Sequence, residues 1–125
     1  MQIPNTFSDL KVWHKSHSFV LDIYCITKKF PLDERFGLTS QLRRSASAIP
    51  ANIVEGNKRK SKKEFMHFLD IADASLEETK YHILLSRDIG YINSEEYERL
   101  SGKTNEIGRM INGLMASTKK LCKGI

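Results

Sequence analysis

The chain has 125 residues, of which 40% are hydrophobic and 28% charged, and this composition predicts one globular, helix-rich domain and excludes a disordered or collagen-like chain. Its two cysteines, Cys25 and Cys122, lie far apart and form no C-x-x-C pair, so the sequence predicts neither a disulfide framework nor a zinc site. No apolar run reaches the roughly 18 residues of a membrane span, and the first residues do not resemble a secretion signal, so we expect a cytoplasmic protein.

The positive charge is concentrated in one place. The formal net charge is +5, and the seven residues from Asn57 to Lys63 carry five cations and no anion, so the rest of the chain is neutral. A single concentration of charge indicates a localised anionic partner. We call these five cations the basic cluster: Lys58, Arg59, Lys60, Lys62 and Lys63.

The first predicted helix covers residues 8–29 and carries two apolar stripes. One stripe recurs at the spacing of three and four residues that keeps side chains on one helix face, and Pro31 follows it. The other recurs every seven residues and consists of Val12, Phe19 and Ile26. Because a helix with two apolar stripes needs two partners, we expect the second stripe to pack against a partner of its own.

The second predicted helix covers residues 37–57 and contains Pro50. A proline inside a helix removes one hydrogen bond and crowds the preceding turn, at a cost of about 3 kcal/mol. The apolar spacing nevertheless continues in phase from Leu42 through Ile49 to Ile53. The sequence therefore predicts one helix that is kinked at Pro50.

The third and fourth predicted helices cover residues 62–88 and 94–122. Ser61 followed by Glu64 forms a capping box at the start of the third helix, and Gly90 is a natural stop after it. Asn93 or Ser94 caps the fourth helix. Together the four helices predict an all-α, antiparallel up-down-up-down four-helix bundle that forms a single domain over residues 1–125.

The sequence does not favour catalysis. A di-metal site in a bundle needs a Glu-x-x-His pair on each of two helices, and only Glu64 with His67 provides one. His14 and His17 lie one turn apart but do not complete a coordination sphere. No serine-hydrolase elbow, phosphate-binding glycine loop or H-E-x-x-H motif occurs. We therefore expect a protein that is not an enzyme and uses neither cofactor nor metal.

The basic cluster is the strongest candidate for a functional surface. It lies where one helix ends and the next begins, and lysine, arginine and free helix N–H groups are the usual ligands of phosphate. Arg43 and Arg44 are secondary candidates, and the cations near the chain end rank below the cluster because they also suit a helix C-terminus. The cations near the chain end are Lys119, Lys120 and Lys123. The alternative interpretation of the basic cluster is a loop that only increases solubility.

Two stretches carry a family resemblance. FGLTSQLRRSASAIPANIVEGNKRKSKKEFMHFLDIADASLEE and FSDLKVWHKSH resemble the bacterial four-helix-bundle proteins that are often encoded within intervening sequences of 23S ribosomal RNA genes. The resemblance covers nearly the whole chain. It implies a bundle that assembles as a homopentamer with a central channel, and it supplies no catalytic residues. Since the resemblance implies further copies of the chain, we expect the stripe of Val12, Phe19 and Ile26 to form the interface between them.

The same family is similar to the accessory proteins of diversity-generating retroelements, which are basic pentamers that bind nucleic acid and a reverse transcriptase. We therefore hypothesise an oligomeric, non-enzymatic protein that binds RNA or an RNA–DNA hybrid with little sequence specificity through the basic cluster. The competing hypothesis is a protein-interaction scaffold that has no nucleic-acid role and docks its partner through apolar patches such as Val12, Phe19 and Ile26.

Overall fold

The structure is a computed structural model that describes residues 10–123, with side chains described as far as residue 120. The described range contains four long helices and no strand, which confirms the predicted all-α fold. Residues 8 and 9 of the predicted first helix lie outside this range. The helices are α1 (Lys11–Thr27), α2 (Leu38–Lys58), α3 (Lys62–Asp88) and α4 (Ser94–Lys123), with a short 3₁₀ turn at Leu32–Glu34 between α1 and α2.

The helices form a closed ring of neighbours. α1 packs against α2 and α4, α3 packs against the same two helices, and the backbones of the diagonal pairs do not approach each other closely in the described chain. Short connections between successive helices make each sequential pair antiparallel, as in an up-down bundle. The α2–α3 connection and the end of α4 therefore lie at one end of the bundle, which we call the basic end. The α1–α2 and α3–α4 connections lie at the far end.

Both predicted helix starts are capped. The Glu64 N–H donates to Ser61 Oγ over 3.1 Å at the start of α3. At the start of α4, Asn93 rather than Ser94 is the cap. The Glu96 N–H donates to Asn93 Oδ1 over 2.8 Å, and the Asn93 N–H donates to Glu96 Oε1 over 2.9 Å. These bonds satisfy N–H groups that have no partner within the helix.

Gly90 ends α3 in the left-handed conformation, with a φ of +88°. The Gly90 N–H donates to the Arg87 carbonyl over 3.0 Å and the Tyr91 N–H to the Ser86 carbonyl over 2.8 Å, the two bonds of a Schellman motif. The Tyr91 hydroxyl then donates to Glu34 over 2.8 Å. This bond ties the two connections of the far end together.

α2 continues without interruption through Pro50, which is buried in the bundle. Ile49 and Ile53, on either side of the proline, are fully buried as well. One helix therefore spans the proline, as the in-phase apolar spacing indicates. The kink itself stays a prediction.

The second apolar stripe of α1 lies inside the chain's own core. Val12, Phe19 and Ile26 are 4%, 1% and 6% exposed. Each helix of a four-helix bundle has two neighbours, and for α1 these are α2 and α4. The inference that this stripe needs a second copy of the chain is therefore corrected, because one chain supplies partners for both stripes.

The α1–α4 contact is the least extensive of the four. Clefts with volumes of about 390, 160 and 230 Å³ open along this seam. Charged groups bridge its rim, and such exposed ion pairs contribute little stability. The bridging pairs are Lys15 with Glu106, Lys29 with Glu96, and Lys103 with Asp22.

The α2–α3 contact is the most extensive, and it includes a close approach at Gly56. A Cβ atom on Gly56 would lie 2.7 Å from Phe68 Cβ and 3.1 Å from the Phe65 ring. Atoms do not pack at such distances, so only glycine fits without movement of one helix. By contrast, a Cβ atom on Gly102 or Gly113 of α4 would meet no atom within 4 Å.

We expect Gly56→Ala to lower the free energy of unfolding by about 1–3 kcal/mol, because overpacking forces the two helices apart. The matched control is Gly102→Ala, which fills open space in a helix and should raise the free energy of unfolding by up to about 1 kcal/mol. Urea denaturation followed by circular dichroism measures both changes. A stabilising effect of Gly56→Ala would contradict the close approach.

Candidate nucleic-acid interface

The basic cluster spans the turn that joins α2 to α3. Lys58 is the last residue of α2, and Arg59 follows it in an extended conformation with φ −70° and ψ 151°. Lys62 and Lys63 open the first turn of α3. Four of the five side chains are exposed, and that of Lys62 is half-buried. The five cations are therefore presented on one tight turn rather than along a helix face.

The cluster is not neutralised by the chain's own carboxylates. Within residues 10–120, no Asp or Glu side chain lies at ion-pair distance from any of its five cations, whereas seven of the fourteen other lysines and arginines in this range are paired. The charge of the basic cluster is thus available to an external anion. The paired cations are Lys15, Lys29, Arg44, Lys80, Arg87, Arg99 and Lys103.

Arg59 is held in place by an aromatic ring. Its guanidinium carbon lies 4.7 Å from the centre of the Phe68 ring, a cation–π contact. Phe68 in turn packs over Gly56. The close approach of α2 and α3 therefore fixes the position of one cation of the cluster, while the guanidinium stays exposed.

The start of α3 adds positive potential to the same turn. The first N–H groups of a helix have no partner inside it, and the helix dipole is positive at this end. The Glu64 N–H is used by Ser61 Oγ, and the Phe65 N–H donates to the Ser61 carbonyl over 3.1 Å. The Glu64 carboxylate lies in the same turn and offsets part of this potential.

The structure also brings the end of α4 to the basic end. Gly108 of α4 lies opposite Leu76 of α3, where a Cβ atom would be 3.3 Å from Leu76 Cδ2. With a rise of about 1.5 Å per residue in both antiparallel helices, Lys119 and Lys120 lie beside the first turn of α3. Both lysines are exposed. The side chain of Lys123, also named by the sequence, lies outside the described residues.

Arg43 is not part of this surface. Its Nε–H donates to Thr27 Oγ1 over 2.8 Å, and its Nη2 donates to the Tyr24 carbonyl over 3.3 Å. Its guanidinium also lies 4.6 Å from the centre of the Tyr24 ring. Arg43 therefore joins α2 to α1, in the half of the bundle away from the basic cluster.

Arg44 is engaged with α3. It donates to Gln41 Oε1 on its own helix and pairs with Glu78. Glu78 also accepts from His82 Nε2 over 3.0 Å when that nitrogen carries the proton. The hydrogen bond with His82 is the main cause that holds the pKa of the Glu78 carboxyl below its ordinary value, and the pairing with Arg44 adds to it. Both secondary candidates thus have partners within the chain.

Two further properties of the described residues bear on function. No group of three or more His, Cys, Asp or Glu side chains within them is arranged to hold a metal ion. Within the same residues, no helix combines the length and apolarity needed to cross a membrane.

The fold and this surface define the protein as an antiparallel four-helix bundle with a basic end. Residues 8–113 match the family described as 23S rRNA-intervening sequence protein. The chain belongs to this family, and the resemblance found in the sequence is confirmed.

The chain is similar to a solved structure over most of the length of both proteins. It is a protein of unknown function from the S23 ribosomal protein family of Bacteroides thetaiotaomicron, with 30% sequence identity and a TM-score of 0.78. The match covers 83% of this chain and 97% of that one. No curated protein matches the chain.

We expect Arg43→Gln to lower the free energy of unfolding by about 1–2 kcal/mol, because it removes hydrogen bonds and the stacking on Tyr24. Lys63→Gln is the control, since it removes the same charge from an exposed side chain and should change stability by less than about 0.5 kcal/mol. Urea denaturation distinguishes the two. Equal, small effects would show that the Arg43 contacts do not stabilise the bundle.

The contacts of Glu78 predict a pH dependence of stability. The pKa of Glu78 is lowered in the folded chain. Its contribution to the free energy of unfolding is therefore fully present at a pH above the ordinary pKa of a carboxyl group, and it is lost as the pH falls through the folded-state pKa. The Glu78 side chain is 39% exposed, so solvent screening keeps this contribution below about 1 kcal/mol.

Glu78→Gln should therefore lower the melting temperature at neutral pH, and the difference from wild type should shrink in acid. The control is Glu98→Gln, an exposed carboxylate with no ion pair among the described residues. A difference for Glu78→Gln that stays constant from neutral to acidic pH would exclude this contribution.

Proposed function

We propose that this protein is an oligomeric, non-enzymatic nucleic-acid-binding protein of the cytoplasm. Its ligand is RNA or an RNA–DNA hybrid, recognised with little sequence specificity. Lys58, Arg59, Lys60, Lys62 and Lys63 contact phosphates. In this proposal Arg43 and Arg44 support the bundle rather than the ligand, since both have partners within the chain.

The observation that carries the proposal is the density of unpaired charge in the basic cluster, which has five cations within the six residues 58–63. Surface cations on a globular protein are normally mixed with carboxylates, as they are along the α1–α4 seam of this bundle. The basic cluster has no such partner among the described residues. Neutralising phosphates releases their condensed counterions, which is the main source of affinity in sequence-independent binding.

The side chains around the cluster support recognition of the backbone rather than of bases. Base stacking requires exposed aromatic faces. The exposed tyrosine and phenylalanine side chains of the described chain are Tyr24, Phe36 and Tyr81, and each lies away from the basic end. Phe68, the aromatic residue that Arg59 contacts, has one face covered by that guanidinium.

The oligomer is part of the proposal and rests on the family resemblance, which implies a homopentamer. Five copies would carry about 25 cluster cations around one ring, and even eight phosphate contacts would make binding steeply salt-dependent. A reverse transcriptase or another protein is a further partner that the resemblance implies. Light scattering on the purified protein measures the number of copies.

A protein-interaction scaffold is the second candidate. Its expected docking stripe on α1 is buried, but two apolar side chains near the 3₁₀ turn favour it. Leu32 is 75% exposed and Phe36 is 84% exposed, both at the far end of the bundle. A scaffold would capture a partner there without dependence on salt and without retention on RNA.

Replacing the five cluster cations by Gln should weaken RNA binding. On single strands, the slope of log affinity against log salt should fall by about 0.7 for each phosphate that the variant no longer neutralises. Fluorescence anisotropy over a salt titration measures the slope. The helical circular-dichroism signal should stay unchanged, because the five side chains lie on the surface. Unchanged affinity in a folded variant would refute the proposal.

The matched control removes charge elsewhere. Lys28→Gln with Arg35→Gln takes two exposed cations from the far end of the bundle. This variant should bind RNA with the wild-type salt slope. If it weakens binding as much, per charge, as the cluster variant does, the binding depends on net charge rather than on the basic cluster.

A further inference from the structure

We infer that an unpaired base of the bound nucleic acid stacks on the imidazole ring of His17, near the start of α1 and beside the basic cluster. This inference rests on the proposed function and adds a base contact to its phosphate contacts. The exposed ring comes from a histidine rather than from a tyrosine or a phenylalanine. Stacking tolerates every base, so the contact is compatible with recognition of little sequence specificity.

The His17 ring is held in place by Trp13, and we call these two residues the stacked pair. Their ring planes are within 4° of parallel, and the ring centroids are 5.0 Å apart. Trp13 is half-buried and packs against the core, whereas the His17 side chain is exposed. Trp13 therefore covers one face of the imidazole, and the opposite face is presented to the outside. A ring that is already fixed loses little conformational entropy when a base stacks on it.

The stacked pair lies on the edge of α1 that faces α2. Tyr24 marks this edge, because its ring and its carbonyl group both contact Arg43 of α2. Tyr24 follows His17 by seven residues and Trp13 by eleven. Seven and eleven residues are close to two and three whole turns of a helix. The three side chains therefore share one stripe, which continues along α2 toward the basic end.

The contact of Arg43 with Tyr24 also sets the level of the stacked pair. Val54 lies eleven residues beyond Arg43, about 17 Å along α2, at about 1.5 Å per residue. Trp13 lies eleven residues before Tyr24, the same distance along the antiparallel α1. The stacked pair therefore lies beside the last turns of α2, and the basic cluster begins four residues beyond Val54.

The separation between the imidazole and the basic cluster suits a single strand. Lys58 is about 6 Å beyond the level of Trp13, and His17 is about 6 Å before it. With helix axes about 8–10 Å apart, roughly 15 Å separates the backbone of Lys58 from that of His17. At about 3.4 Å or more per nucleotide, a strand of about five nucleotides reaches from one to the other.

The surface between the two sites carries no carboxylate among the described residues of α1 and α2. Glu55 follows Arg44 by eleven residues, so it lies on the α2 edge where Arg44 pairs with α3. Asp22, the described carboxylate of α1, pairs with lysine and arginine of α4. No charge repels a strand along this path. The α2 residues that share the edge of Arg43 are uncharged, and they are Pro50, Val54 and Asn57.

The test compares two labelled strands that have the same number of phosphates. One is a single-stranded RNA of about ten nucleotides, and the other is a strand of abasic ribose units that carries no bases. Each is titrated with the full-length protein at pH 8 by fluorescence anisotropy at several salt concentrations. The wild type should bind the RNA about tenfold more tightly, the effect of one stacked base. The salt slopes should agree, because the phosphates are the same.

His17→Ala should remove this preference. It should lower the affinity for the RNA about tenfold and leave the affinity for the base-free strand unchanged, since the phosphate contacts are kept. His17→Phe retains a ring and should retain the preference. His17→Lys supplies a cation without a ring and should lose it.

The matched control is His67→Ala. His67 is exposed at the basic end as well, but its ring meets Phe68 at an interplanar angle of 74° rather than as a parallel stack. This variant should keep the preference for the RNA. Circular dichroism shows whether each variant folds as the wild type does.

The outcomes separate this inference from the proposed function. Equal binding of both strands by the wild type overturns the inference and leaves the proposed function in place. A preference that survives His17→Ala or His17→Lys does the same. No binding of either strand at low salt refutes the proposed function and the inference together. Loss of the preference in His17→Ala and His17→Lys, with retention in His17→Phe and His67→Ala, supports a base stacked on His17.

Discussion

The close approach of α2 to α3 at Gly56 is the constraint on which the rest of the basic end depends. Because no side chain separates the two helices there, Phe68 packs directly on the α2 backbone. Arg59 then packs on the Phe68 ring, and the chain reverses through only three residues, 59 to 61, before α3 begins at Lys62. A short turn on a rigid helix pair loses little conformational entropy when a ligand orders it.

The bundle separates two kinds of charge. Along the helices, opposite charges pair across the seams, as Lys15 does with Glu106 and Arg44 with Glu78. At the basic end, cations accumulate without such partners among the described residues. The first kind adds little to stability, whereas the second generates a local field. A net charge of +5 describes neither arrangement, because it averages over both.

Much of the fold could be predicted from the sequence because its signals are local. The Ser61 cap, the Gly90 stop and the apolar seams are set by residues within a turn or two of one another. The role of the second α1 stripe could not be predicted in this way, since periodicity shows that Phe19 faces a partner but not whether that partner is α2, α4 or another chain. The structure supplies the answer, because both neighbours lie within one chain.

In the candidate site, too, the features set by neighbouring residues could be predicted from the sequence, and those set by distant residues could not. The basic cluster is contiguous in sequence and was visible there as a run of lysines and arginine. Arg43 and Arg44 are secondary candidates in the sequence, and their engagement within the bundle could not be predicted because their partners, Thr27 and Glu78, are 16 and 34 residues away. The antiparallel topology already implied that Lys119 lies near the α2–α3 turn, but the level of α4 against α3 required the contact between Gly108 and Leu76.

The loosely packed seam between α1 and α4 has a consequence for how the molecule opens. Local unfolding begins where apolar contact is sparse and solvent reaches the interface. Because this seam has the least extensive contact of the four, we expect α1 to detach first, with its amide hydrogens exchanging before those of α2 and α3. The cations of the basic cluster belong to the α2–α3 hairpin, whose extensive contact should separate last. The charged turn therefore keeps its shape in partly open forms of the molecule.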